Sequence, residues 1–326
     1  MIITDVIRRG EHGFAWHRIP AIVSLDCGTL ICAYECRETL NDWDTRAIET
    51  AVSEDGGITW GYYRQPAYSG NLAVNNPTLI AEGSRLRLVY AIDYYDVFTI
   101  YSDDKGKTFS KPERIDAADD LKELWQYNVI APGPGHGIVS AGRIIVPVWM
   151  ANGEGTPGAP RPHAPSVVSA LYCENGKWYP AREYIKGCLK DPSETAAAAL
   201  PDGRIIFNLR NVSPERRRGY VYEKDGRFTE PRFDYELVDP VCFGSACRRG
   251  DDIYFVNCYS EKERRQLCIT RLSPDGLGTK SRKIIYDKAG YADIAINPDG
   301  SVCVFFERDD FTALSCLRIE KEELDI

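Results

Sequence analysis

Arginines, carboxylates and a tyrosine recur at matching places along this 326-residue chain. Arg18, Glu194 and Tyr291 each stand near the start of an apolar run, and Arg37, Arg210 and Glu307 each close the run that follows. Asp42, Asp44, Arg264 and Arg265 lie just beyond such runs. Gathered in one place, these residues have a definite chemistry. Guanidinium groups bind a carboxylate through charge-assisted, partly bidentate hydrogen bonds. A carboxyl group donates and accepts protons. A tyrosine, with a pKa near 10, becomes a useful nucleophile only when a base takes its proton. Each residue taken singly reads as a solvated charge or a packed ring, so everything depends on whether the chain brings them together.

The segments carrying them are six hairpins of one pattern: RIPAIVSLDCGTLICAYECR (18–37), NNPTLIAEGSRLRLVYAID (75–93), GHGIVSAGRIIVPVWM (135–150), SETAAAALPDGRIIFNLRN (193–211), GSACRRGDDIYFVNCY (244–259) and GYADIAINPDGSVCVFFERD (290–309). Each reads as strand, Asp/Gly-type turn, strand. Their spacing of roughly 45–60 residues is that of propeller blades. A further β segment follows most of them across a distinctive turn. SEDGGITW (53–60) and SDDKGKTF (102–109) fit S-x-D-x-G-x-T-[W/F], and CENGKWY, YEKDGRF and SPDGLGT are looser versions. In such turns the Asp accepts from local backbone N–H groups, Gly supplies a positive φ and the aromatic packs between sheets. The expectation is all-β: a single six-bladed propeller over 1–326 with four-stranded antiparallel blades, closed by strands from both termini. The start of a first strand and the end of a second lie at the same end of a hairpin, and the Asp/Gly turns after third strands at the other. The arginines, carboxylates and tyrosine therefore collect on one face around the axis.

Bulk properties narrow the function. A net charge of −8 and a pI near 5.2 argue against a basic nucleic-acid binder. No apolar run approaches the ~18 residues of a membrane span. The N-terminus lacks the basic-then-apolar order of a signal peptide, so a cytoplasmic protein away from membranes is expected. The eleven cysteines are odd in number and lie mostly within apolar strand patterns, which reads as reduced core thiols. Cys32 and Cys36 lack a matching second pair or a nearby His, and no metal or other cofactor is expected.

The ordered set Arg18, Arg37, Asp42, Glu194, Arg210, Arg265, Tyr291 and Glu307, with RIP at 18–20 and the S-x-D-x-G-x-T-W turns, resembles the exo-α-sialidases of glycoside hydrolase family 33 over essentially the whole chain. The resemblance implies a retaining hydrolase of terminal sialic acids on glycoconjugates. Arg18, Arg210 and Arg265 would bind the substrate carboxylate, and Arg37 would assist the substrate or the acid. RRQLCITRLS offers Arg264 as well, and Arg265 is preferred because it precedes Arg271 by six residues, the usual family spacing. Tyr291 would be the nucleophile, a neutral group that avoids the repulsion a carboxylate would meet from the substrate's own carboxylate. Ala292 departs from the family's usual Ser at the next position. Glu194 would deprotonate Tyr291, Asp42 would be the acid with Asp44 the alternative, and Glu307 would hold Arg18 in place. Trp43 can shield the acid or simply pack. Asn75, Asn76 and Trp125 are candidates for an N-acyl pocket. Three other readings share parts of this set: a hydrolase of another 2-keto-sugar acid such as deaminated neuraminic acid or Kdo, an inactive sialic-acid-binding propeller, and a scaffold propeller for protein partners.

Overall fold

The inner hairpins are buried on both faces, and their sequences show it. Leu30–Arg37 is buried at every position, as a short continuous apolar run predicts. The outermost strand of the same sheet, Gly61–Tyr68, alternates between covered and exposed positions. A computed structural model describes residues 1–324 and folds them into six sheets around one axis.

Blade 1 is Trp16–Ser24, Leu30–Arg37, Thr45–Ser53 and Gly61–Tyr68, in that order from the axis outward. Blades 2, 4 and 5 repeat the plan from inner strands Val74–Glu82, Thr195–Ala199 and Ser245–Arg249. Blade 6 runs Ala289–Ile296, Val302–Arg308 and Ala313–Ile319, and takes its outer strand, Ile2–Arg8, from the start of the chain. The first and last blades meet through their inner strands, which closes the ring. Six apolar clusters fill the wedges between neighbouring blades.

Blade 3 departs from the expected hairpin. Its inner edge is split: Val129–Pro132 pairs with one half of Arg143–Ala151 and Ile138–Ser140 with the other. Between them Gly135–His136 crosses over to run parallel to Thr78–Leu79 of blade 2. Glycine is needed there, because a Cβ on Gly135 would fall 2.7 Å from the Phe243 ring. On the axis, His136 Nδ1 lies 2.7 Å from Asp293 Oδ1, and Asp293 Oδ2 accepts the Ile22 amide at 2.7 Å. This pin joins blades 1 and 6 to the crossing segment.

The two Asp/Gly turns share one set of bonds. Asp55 accepts from the Ile58 and Thr59 amides and the Thr59 hydroxyl, and Asp104 accepts from Lys107 and Thr108 in the same way. Trp60 and Phe109 then pack into the wedges on either side of blade 1. Ser53 pairs with Leu30 while Thr45 pairs with Arg37, so the first turn and Arg37 lie at opposite ends of the blade. Hydrogen bonds, the Thr108 hydroxyl's first among them, lower the Asp104 pKa to about 2. Because the folded pKa lies below the ordinary value of 3.8, its contribution is present above pH 4 and is lost as the pH falls towards 2. Asp104→Asn is therefore less stable than the parent in urea unfolding at pH 7, and the gap narrows between pH 4 and pH 2.

Candidate active site

At the end of the axis away from those turns, first strands in three blades carry a bulge at the same place. The register slips between Arg18 and Ala21, between Asn75 and Thr78, and between Ala289 and Ala292. A bulge re-aims side chains, and here it turns Arg18, Asn76 and Tyr291 towards a cavity of about 550 Å³. That volume is within the range for a small-molecule site. Ile19 adopts φ 60° within its bulge, a strained conformation for a β-branched residue.

Glu307 offsets the strain. Its carboxylate, wholly buried, accepts from Arg18 Nε (2.5 Å), Arg18 Nη2 (3.3 Å), the Ile19 amide (3.1 Å) and the Tyr291 amide (2.9 Å). Burial alone would raise its pKa, but Arg18 beside it holds the pKa below the ordinary carboxylate value. Arg18 lies between the Phe311 ring, 4.0 Å away, and the Tyr291 ring at 5.6 Å.

Tyr291 is 5% exposed. Its hydroxyl donates to Glu194 Oε1 at 2.8 Å and accepts from Arg210 Nη1 at 2.8 Å. Arg210 also donates to Glu194 Oε2. Burial pushes the phenol's pKa well above its ordinary value, with Arg210 opposing and Glu194 adding to the rise. The phenol thus keeps its proton until a base removes it, and Glu194 is in place to do so. Burial works against the charge on Arg210, yet Glu194 and Tyr291 beside it raise its pKa overall, so it stays protonated.

Asp42 sits in a short 3₁₀ turn, Asp42–Asp44, at the cavity rim, where the Asn41 side chain accepts the Trp43 amide. Arg37 Nη1 donates to Asp42 Oδ1 at 2.7 Å, and Arg37 Nε to Glu35 Oε2 at 2.7 Å. Desolvation would raise the Asp42 pKa, but Arg37 and, less strongly, His163 lower it overall. Asp44 faces away, to Thr39 and Arg46. Trp43 packs against Tyr94 and His163. Asn75 supports the turn by donating to the Asp42 carbonyl, and Asn76 lines the cavity. Trp125 packs in the wedge between blades 2 and 3, outside the cavity.

One assignment needs correction. The structure puts Arg264, not Arg265, in the cavity wall, with its guanidinium 5.1 Å from the Tyr291 ring centroid. Arg265 is on the surface, paired with Asp287 at 2.5 Å. Counting back six residues from Arg271 assumes an extended chain, but the strand begins only at Leu267 and Gln266 takes φ 56°. That left-handed residue reverses which of the two arginines faces the axis.

Glu35 was not singled out in the sequence. It is fully buried, anchors Arg37, and accepts the Asn76 amide at 2.7 Å. Its signal is a charge inside the apolar run LICAYECR. Tyr94, Trp149 and His163 also line the cavity, and nothing in their local sequence marks them.

No family model matches the chain. It is 25% identical, over 93% of its length, to a sialidase of Micromonospora viridifaciens, and spans about half (51%) of that relative. Among solved structures, it superposes with a TM-score of 0.83 on the Hadza microbial sialidase Hz136, at 16% identity, covering 98% of this chain and 69% of that one. The intramolecular trans-sialidase of Ruminococcus gnavus, solved with oseltamivir carboxylate, gives 0.80 at 14% identity, covering 99% and 98%. Trypanosoma rangeli sialidase gives 0.71 at 19% identity, covering 93% and 55%. The chain is thus similar in sequence, along nearly its whole length, to a sialidase, and it shares the six-bladed fold of several others.

Proposed function

We propose that this protein is a glycoside hydrolase, a retaining exo-α-sialidase that releases terminal sialic acids through a tyrosyl-enzyme intermediate. The observation that carries the reading is the buried Tyr291 hydroxyl held between Glu194 and Arg210 at the cavity wall. Arg18, Arg210 and Arg264 converge there and form a clamp for the substrate carboxylate. Tyr291 attacks the anomeric carbon as Glu194 takes its proton, while Asp42 protonates the departing glycosidic oxygen. Asp42 then removes a proton from water, which attacks the same carbon as Tyr291 leaves and recovers its proton from Glu194. Two displacements retain the configuration. The pairing of Asp42 with Arg37 keeps the free enzyme's carboxyl charged. Binding of an anionic substrate beside these arginines weakens that hold and raises the acid's pKa.

The test compares a fluorogenic aryl α-sialoside with sialyllactose, with product anomer followed by NMR. Asp42→Asn lowers turnover of sialyllactose by about 10²–10⁴-fold. It spares the aryl substrate by comparison, whose leaving group needs little protonation. The same pattern from Asp44→Asn would overturn the choice of acid. Preference for aryl glycosides of other keto-sugar acids would move the substrate class.

A further inference from the structure

The reaction described above makes no use of His163, a cavity residue beside Asp42. It belongs to the loop joining Arg143–Ala151 to Ser166–Glu174. Its ring packs against those of Trp43, Tyr94 and Trp149, with centroids 5.8, 4.8 and 5.1 Å away. Nδ1 faces Asp42 Oδ2 at 4.0 Å. Nε2 is buried and has no hydrogen-bond partner among the described residues. Burial lowers the pKa of the ring; Asp42 and Glu194 oppose this, and Arg210 and Arg161 reinforce it.

These facts fix its state. An imidazolium would bury an unpaired Nε2–H among aromatic rings, which is costly. A neutral ring has one hydrogen to place, and only at Nδ1 does that hydrogen meet an acceptor. The other groups acting on Asp42 are Arg37, bonded to Oδ1, and Arg18 across the cavity, with Glu35 and Tyr94 beside the pair. Two N–H groups thus flank the carboxyl, and neither accepts a proton. With Oδ1 taken by Arg37, the acid's hydrogen sits on Oδ2, and its available acceptor is the glycosidic oxygen.

Resting on the function proposed above, we infer that His163 is a positioning residue for Asp42. As a neutral Nδ1–H donor, it closes on Oδ2 whenever the carboxylate is charged and leaves the acid's proton to the substrate when it is not. The closure shortens a 4.0 Å approach to hydrogen-bonding distance by a small rotation of the partly exposed Asp42 carboxylate about its bond to Arg37.

Three variants of the full chain test this. His163→Phe keeps a ring in the aromatic cage and removes the donor. His163→Asn restores an N–H near the place of Nδ1. Asp42→Asn identifies the Asp42 signal in a ¹³C NMR titration of Asp-labelled protein without substrate. The Asp42 pKa rises by about 0.5–1 pH unit in His163→Phe, because the charged form has lost a donor, and returns in His163→Asn. In turnover, His163→Phe slows sialyllactose cleavage about tenfold and the aryl sialoside much less. An unchanged titration in His163→Phe overturns the inference. So does equal loss on both substrates, or an Asn variant that behaves like the Phe variant. The titration needs no substrate, so absence of sialoside hydrolysis by the parent protein sinks the functional reading separately.

Discussion

Tyr291→Phe lowers kcat on an aryl α-sialoside on the order of 10³-fold or more, because it removes the nucleophile and leaves Glu194 with no proton to accept. Among the described residues the phenol hydroxyl bonds to Glu194 and Arg210, and the ring packs against Phe243. Phenylalanine preserves that packing, so the fold survives and the loss is chemical. A 2,3-difluoro sialic acid, whose fluorines slow breakdown of the intermediate, labels the parent protein on the segment containing Tyr291 and does not label the variant. Peptide mapping by mass spectrometry reads this directly. An adduct on Glu194 or on an aspartate would refute the mechanism, as would a product of inverted configuration from the parent enzyme, even with sialidase activity present.

The second large effect separates two adjacent arginines. Arg264→Ala cuts kcat/KM for an α-sialoside by about 10²–10³-fold, since removing one partner of a buried charge pair costs roughly 2–5 kcal/mol. Arg265→Ala leaves kcat/KM within about twofold, because an exposed ion pair like that with Asp287 contributes at most about 1 kcal/mol. Steady-state kinetics on both variants settles it; comparable losses would return Arg265 to the site.

The fold was legible because its signal repeats. Six hairpins in phase with five Asp/Gly turns leave little choice of architecture, and five of the six hairpins match inner strand pairs of the structure. The third does not, because its inner strand is broken by a crossing at Gly135–His136 that depends on contact with blade 2. Long-range contacts of that kind leave no local pattern. The site was legible where residues sit in the inner hairpins or one residue beyond their strands, since the hairpin pattern places those positions at one end of the blades. Arg18, Arg37, Glu194, Arg210 and Tyr291 all line one cavity with Asp42. It was illegible in the loops. Gln266 shows how one left-handed residue swaps neighbouring side chains, and His163 lies in PRPHAP, a stretch with no periodicity to read.

Glu307 ends a strand of the last blade and holds Arg18 and the Ile19 amide of the first, while also fixing the Tyr291 amide. One of the contacts that join the first and last blades, beside the pairing of Ile2–Arg8 with Ala313–Ile319, is therefore the same carboxylate that seats a cavity-facing arginine and tyrosine. Any loosening of the ring at this join misplaces both before a single blade has come apart. On the proposed mechanism, loss of activity is therefore the expected first sign that the circle has loosened at this join.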